Sequence, residues 1–203
     1  ILGIALSACK KPTSSDEVVV PECDKNMIIE NTHGIEGYAD EDSYFPGESV
    51  ALKIHSPTES CDITILRHGQ TIETIATISD IPCGPQNFNC RSYSFGCDWE
   101  TTYTYELPMD LSSGIYTAQI SNELGQKSDI TFIVKGTGGA PFLVLANTNT
   151  WNAYNTWGGH SFYQYNLSEK HDRSEIISFD RPNTRAEPYG NEGHLANAEM
   201  HLY

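Results

Sequence analysis

Between residues 149 and 163 the chain reads Asn149-Thr150-Trp151-Asn152-Ala153-Tyr154-Asn155-Thr156-Trp157-Gly158-Gly159-His160-Ser161-Phe162-Tyr163. Phenol, indole and amide groups at this density need hydrogen-bond partners, and they suit either a bound ligand or a packed core. Trp151, Trp157 and Tyr163 are therefore candidate ligand-lining residues, with a packing role as the alternative. The Gly158-Gly159 pair opens backbone conformations that other residues resist. Further on, Asp180-Arg181-Pro182 closes an apolar run. Arg181 can grip a carboxylate with two parallel hydrogen bonds, or make a structural ion pair where Pro182 stops a strand. His160, His194 and His201 are the nearest imidazoles, and none has a partner at the H-E-x-x-H spacing of a metal site. No G-x-S-x-G elbow is present, which disfavours a serine hydrolase. Asp40-Glu41-Asp42 lacks the spacing of a calcium loop and reads as a solvated loop.

Cysteines supply the other reactive groups. There are six, and Cys83, Cys90 and Cys97 recur every seven residues in a Gly/Pro/Asn-rich stretch. Zinc is the sharper reading, but paired C-x-x-C spacing is missing. Disulfides formed in an oxidising compartment are the expectation. If Cys9 is lipidated, as argued below, Cys23, Cys61, Cys83, Cys90 and Cys97 remain, so one is unpaired or bonded elsewhere. Spacing leaves the connectivity open.

The series Asn149-Thr150-Trp151, Ala153-Tyr154-Asn155, Trp157-Gly158-Gly159 and Ser161-Phe162-Tyr163, followed by Ser178-Phe179-Asp180-Arg181-Pro182, resembles the large-subunit family of N,N-dimethylformamidase. That family's motif reads NTWxAYNxWGGxSLY and then FDRP. Ile35-Glu36-Gly37-Tyr38-Ala39-Asp40, Pro46-Gly47-Glu48 and Leu111-Ser112-Ser113-Gly114-Ile115-Tyr116 also resemble its β-domain, so the resemblance spans most of residues 35–182. It implies an amidohydrolase-like domain of glutamine-amidotransferase-like α/β fold, with mononuclear iron held by two tyrosinates and a glutamate. Hard ferric iron suits phenolate and carboxylate oxygens, and it can polarise an amide carbonyl and acidify a bound water. The resemblance implies Tyr154 as an iron ligand and Tyr154, Asn155 and Arg181 as catalytic residues. Tyr189 and Tyr203 both remain candidates for the second tyrosinate, with Tyr189 carried as the working choice. The glutamate is expected beyond Tyr203, because Glu187, Glu192 and Glu199 match nothing in the motif. Phe162 stands where the family has Leu, which leaves the chemistry untouched.

Strands must carry the first part of this arrangement. Val50, Leu52 and Ile54 alternate with Ala51, Lys53 and His55; Ile63 and Ile65 alternate with Asp62 and Thr64; Ile130, Phe132 and Val134 alternate with Asp129, Thr131 and Ile133. A period of two puts one set of side chains on a buried sheet face. Tyr103–Leu107 and Ile115–Ser121 add two strands, and Phe45-Pro46-Gly47-Glu48 and Ser112-Ser113-Gly114 supply turns. Residues 27–136 are thus expected to form an all-β, immunoglobulin-like (Ig-like) sandwich, with a long disulfide-stapled loop from about Asp80 to Trp99. Residues 137–141 read as a linker. Phe142-Leu143-Val144-Leu145-Ala146 and Glu175-Ile176-Ile177-Ser178-Phe179 read as strands of an α/β domain over residues 142–203, with ligands expected beyond the strand ends. The stretch is short for such a domain, so it is read as the truncated start of one.

At the other end, Ile1-Leu2-Gly3-Ile4-Ala5-Leu6-Ser7-Ala8-Cys9 is apolar and ends in small residues and a cysteine. Without an initiator Met, residues 1–8 read as a signal-peptide remnant. Leu6-Ser7-Ala8-Cys9 resembles the lipobox of bacterial lipoproteins, which implies acylation of Cys9 and a tether over residues 9–26. The expected location is the bacterial cell envelope, lipid-anchored, on its periplasmic or cell-surface side, with the membrane as one partner and a small-molecule substrate as another. A net charge of −15 repels phosphate backbones and argues against nucleic acid. Whether the chain is an oligomer stays open. Two functions compete: an iron-dependent hydrolase of small amide or other C–N bonds, and a non-catalytic lipoprotein that stacks a carbohydrate or peptide on Trp151 or Trp157.

Overall fold

The computed structural model describes residues 34–88, 90–163, 173–183 and 186. Cys9, Tyr189 and Tyr203 lie outside the described residues. Among the described residues eight strands form in order: β1 Glu36–Ala39, β2 Ser43–Tyr44, β3 Ser49–His55, β4 Ser60–His68, β5 Glu73–Pro82, β6 Tyr103–Glu106, β7 Gly114–Asn122 and β8 Lys127–Val134. They pair as a three-stranded sheet, β1-β3-β6, and a five-stranded sheet, β2-β8-β7-β4-β5. Every pairing is antiparallel except β2 with β8, which is parallel.

The alternating residues fix how the sheets face each other. Val50, Leu52 and Ile54 on β3 meet Ile63 and Ile65 on β4, Tyr116, Ala118 and Ile120 on β7, and Ile130, Phe132 and Val134 on β8 in one buried cluster. An all-β sandwich results, as the period-two pattern predicts. At Gly37 the sheets approach so closely that a Cβ would lie 2.7 Å from both Ile130 Cδ1 and the Lys53 carbonyl, so only glycine fits there. β5 has no counterpart in the sequence reading. It is an edge strand, mostly half-exposed or exposed, so its alternation is weak.

Local polar bonds set the strand ends. The Tyr116 hydroxyl donates to the Ser112 carbonyl at 2.6 Å, tying β7 to the turn before it. Asp40 is more than part of a solvated loop: its Oδ1 accepts from the Tyr44 hydroxyl at 2.7 Å and from Ala51 N–H at 2.9 Å. The run is exposed, as a solvated loop should be, and its first carboxylate also ties β1 and β2 to β3.

Between β5 and β6, the insert holds a single helical turn, α1 Ser92–Phe95. Hydrogen bonds do the stapling expected of disulfides at two of its three cysteines, since Cys83 and Cys97, like Cys61, are free thiols. Gln86 Nε2 donates to the Ile54 carbonyl at 3.1 Å and the Glu100 carbonyl at 2.8 Å, while Gln86 Oε1 accepts from Glu100 N–H at 2.8 Å.

After β8 the described residues carry one short helix, α2 Thr148–Tyr154, and a 3-10 turn, Trp157–Gly159. The strands expected at residues 142–146 and 175–179 do not form. A buried parallel strand needs neighbours for its N–H and C=O groups, and among the described residues no strand lies beside either run. Phe142, Leu143 and Leu145 are instead exposed. The segment from α2 onward packs back on the sandwich, where Trp151, Ala186 and Ala146 cover Ile115 and Ile133 on the outer face of the five-stranded sheet.

Replacing Tyr116 by Phe removes one buried hydroxyl and its bond to Ser112. The expected cost is about 1–2 kcal/mol, read as a Tm lowered by several degrees with unchanged circular dichroism.

Candidate functional site

Seven residues make α2, too few to hold a helix by propensity alone, so tertiary contacts must stabilise it. Its buried face carries Trp151 and Asn152, and Tyr154 sits half-buried at its last position. Beyond it the chain turns sharply. Asn155 Oδ1 accepts from Trp157 N–H at 3.1 Å, closing a side-chain-to-backbone turn, and its Nδ2 donates to the Pro182 carbonyl at 2.9 Å. Gly158 has φ of +78° and its Cα packs on Tyr93, with room for a Cβ only at 3.3 Å from the Tyr93 Cβ. Backbone bonds then return the chain, from Phe162 N–H to the Ala153 carbonyl at 3.1 Å.

Arg181 lies at the centre and is 1% exposed. Its Nη1 donates to the Trp157 carbonyl at 2.5 Å and the His160 carbonyl at 3.4 Å. Nη2 reaches Asn152 Oδ1 at 3.2 Å and the Asn155 carbonyl at 3.2 Å, and Nε reaches the Ser178 carbonyl at 3.0 Å. Burial pulls its pKa down to about 9, which leaves it cationic at neutral pH. The expected roles at Arg181 were a carboxylate grip or a strand-end ion pair; its described partners are carbonyls and an amide oxygen. The asparagines and the arginine thus shape the loop that carries Tyr154.

A second contact reaches the sandwich. Trp157 Nε1 donates to Glu36 Oε2 on β1 at 2.8 Å. Trp157 is 1% exposed and packs with Tyr38, Cys97, Trp99 and Phe88. Glu36 is itself buried, and among the described residues its Oε1 has no hydrogen-bond partner. Burial raises its pKa to about 7, only partly offset by the indole N–H. Cys97 next to it has its thiol pushed up to about 12, again chiefly by burial. Sequence reasoning missed Glu36 as a site residue, although it lies inside one of the quoted β-domain motifs. An ionisable residue between Ile35 and Gly37 in a strand was the available signal.

Of the residues expected at a site, the structure brings Tyr154, Asn155, Trp157 and Arg181 into one motif. Tyr163 packs at a tilt against Tyr154 with ring centroids 4.4 Å apart, and His160 stacks on Tyr93 at 4.2 Å. Trp151 and Trp157 are 3% and 1% exposed, so neither indole offers an open stacking face. A cavity of about 40 Å³, lined by Asp42, Asp129, Thr148 and Trp151, has room for little more than a water. Among the described residues the buried indole N–H of Trp151 has no partner.

The family described as N,N-dimethylformamidase beta subunit-like, C-terminal, matches residues 64–203. The chain belongs to this family. The dimethylformamidase-like region begins within β4 and so includes much of the sandwich as well as the Tyr154 loop. No curated protein matches the chain. Within the dimethylformamidase-like region, Trp157 and Arg181 lock the loop from opposite sides, one through Glu36 and the other through backbone carbonyls.

A pH dependence follows from Glu36. The unfolded chain ionises this carboxyl near 4.5 and the folded chain near 7. Between those values the folded state keeps a proton that the unfolded state releases, so stability falls as pH rises and the loss is complete above about 7. Glu36→Gln keeps an acceptor for Trp157 and removes the charge. The variant is expected to gain on the order of 3 kcal/mol over the parent between pH 5 and 8, measured as the change in their Tm difference across that range.

Proposed function

We propose that this chain belongs to a lipid-anchored envelope protein whose dimethylformamidase-like region hydrolyses small amides or other C–N bonds. Family membership supports an amidohydrolase-related region. The observation that carries the reading is Tyr154, a half-buried phenol at the end of α2, held by a loop whose shape Asn155, Trp157 and Arg181 fix.

A phenol so placed fits a hard Lewis-acidic metal such as ferric iron, because its oxygen is a hard anionic donor when deprotonated. Tyr154 is the ligand proposed from the described residues, and Tyr189, the other tyrosine named for it, lies outside them. Bound there, iron would supply polarisation of an amide carbonyl and an acidified water. The chain's own residues do the positioning. Arg181 and Asn155 hold the Tyr154 loop through its carbonyls and the Pro182 carbonyl, which makes them positioning residues in this reading. Tyr163 backs the Tyr154 ring and limits its rotation.

Anchoring rests on Leu6-Ser7-Ala8-Cys9, with acylation of Cys9 as the proposed modification. The sandwich is proposed as an Ig-like module that holds the region off the membrane, a reading supported by the Tyr116–Ser112 bond, which has the form of a tyrosine corner. A carbohydrate- or peptide-binding lipoprotein is the weaker reading, since the indoles it would stack on are buried.

Elemental analysis of the full-length, non-lipidated protein beside Tyr154→Phe tests the proposal. Near-stoichiometric iron in the parent, lost in the variant at unchanged Tm, is the expected result, followed by turnover in a screen of small amides. A parent protein without metal after reconstitution with iron would overturn it.

A further inference from the structure

Two of the free thiols are neighbours. Cys61 stands on β4 opposite Ile81 of β5, and Cys83 follows Ile81 by two residues, which puts both cysteines on the core-facing side of the hairpin. The ladder runs one step past the Ser60–Pro82 pair, through Cys83 N–H to the Glu59 carbonyl at 3.0 Å. Both sulfurs belong to the sandwich core: Cys61 is 2% exposed within it and Cys83 packs against it half-exposed. The Cys83 side chain lies near enough to Cys61 to act on its thiol, and Cys83 Sγ donates to the Thr58 carbonyl at 3.5 Å. Cys97, the third free thiol, lies in a separate cluster with Tyr38, Trp99 and Trp157.

We propose that Cys61 and Cys83 form a disulfide that locks the β4–β5 hairpin and the start of the insert when the protein meets a disulfide donor. Cys61 and Cys83 sit diagonally on one face of the hairpin, so closing the bond to the usual sulfur–sulfur length of about 2 Å needs Cys83 to approach β4. Residues 83–88 have no regular secondary structure, so Cys83 can make that approach without breaking a strand.

The exposures set the order of events. Cys83 loses its proton and attacks the sulfur–sulfur bond of the donor, forming a mixed disulfide and releasing one donor thiolate. Cys61 then loses its proton, attacks the Cys83 sulfur and expels the second donor thiolate. Two electrons pass to the donor, and the two protons leave with them. Burial pushes the Cys61 thiol up to about 12, which protects it from outside reagents until Cys83 presents a disulfide beside it. The bond would also fix the point from which the chain enters the insert, whose later residues meet the Tyr154 region through Cys97 N–H to the Asp180 carbonyl at 2.8 Å.

The proposal draws on the exported location suggested above only for the source of oxidant, so its test supplies one. Full-length, non-lipidated protein is equilibrated with oxidised glutathione, blocked with an alkylating agent, digested without reductant and mapped by mass spectrometry. A peptide linking Cys61 to Cys83 is expected, together with a Tm rise of roughly 5 °C that reductant reverses. Cys97→Ser should keep that rise, and Cys61→Ala/Cys83→Ala should lose it. Recovery of both cysteines as separately alkylated peptides, or of either one bonded to another cysteine, overturns the proposal, and this mapping on the parent decides the matter even where the double variant fails to fold. Iron content plays no part in the readout, so failure here leaves the hydrolase reading standing.

Discussion

Arg181 sits where water cannot reach it, and among the described residues it forms no ion pair. Its charge is met by the carbonyl dipoles of Asn155, Trp157, His160 and Ser178 and by the amide oxygen of Asn152. A planar, forked donor can satisfy acceptors on several sides at once, which a lysine ammonium on its flexible stem cannot reproduce. The continuous stretch from the end of α2 through the Asn155 turn to the 3-10 turn is thereby held at a fixed separation from the run before Pro182. Every later feature of the candidate site depends on that constraint, because α2 is too short to stand alone and meets the sandwich chiefly through Trp151.

Glu36 and Trp157 carry the same constraint into the sandwich. The indole N–H fixes one carboxyl oxygen, while the aromatic cluster of Tyr38, Phe88 and Trp99 closes around both. A protonated Glu36 costs less to bury than a carboxylate, so the joint between sheet and loop is most comfortable on the acid side of neutrality. The joint is also continuous with the insert, since Cys97 N–H and Ser178 N–H exchange backbone bonds with Asp180 and Tyr93 across it. Sandwich, insert and loop therefore behave as one packed body at this point, in keeping with a family match that starts inside β4.

How far the sequence foretold this differs from part to part. Strands β3, β4, β7 and β8 were legible because their faces differ in polarity, and Ile63, Ile65, Phe132 and Val134 are buried where alternation puts them. β5 escaped notice because an edge strand buries little, and β1 because its residues are buried on both faces. The motif residues Tyr154, Asn155, Trp157 and Arg181 were singled out by the family resemblance as well as by type, and the structure places them close together. Their roles were not legible: nothing in the spacing shows that Arg181 meets carbonyls rather than a carboxylate, or that Trp157 donates to a strand 121 residues away. The apolar runs at residues 142–146 and 175–179 misled because hydrophobicity reports a wish to be covered, whereas a strand also needs a neighbour with free N–H and C=O groups.

Phe142-Leu143-Val144-Leu145 has a further consequence for the polypeptide as a material. Four uncharged apolar side chains, Phe142 and Val144 among them of high β-propensity, are exposed and outside any strand, which is the composition of a segment that pairs with copies of itself. Pro141 and the glycines at 136, 138 and 139 stand immediately upstream, where they oppose the spread of such pairing toward β8 in the manner of gatekeepers. Colloidal behaviour of the isolated chain is thus governed by two opposing features, a net charge of −15 that keeps molecules apart and one short sticky stretch that draws them together. Salt, which screens the first and leaves the second intact, tips the balance toward association.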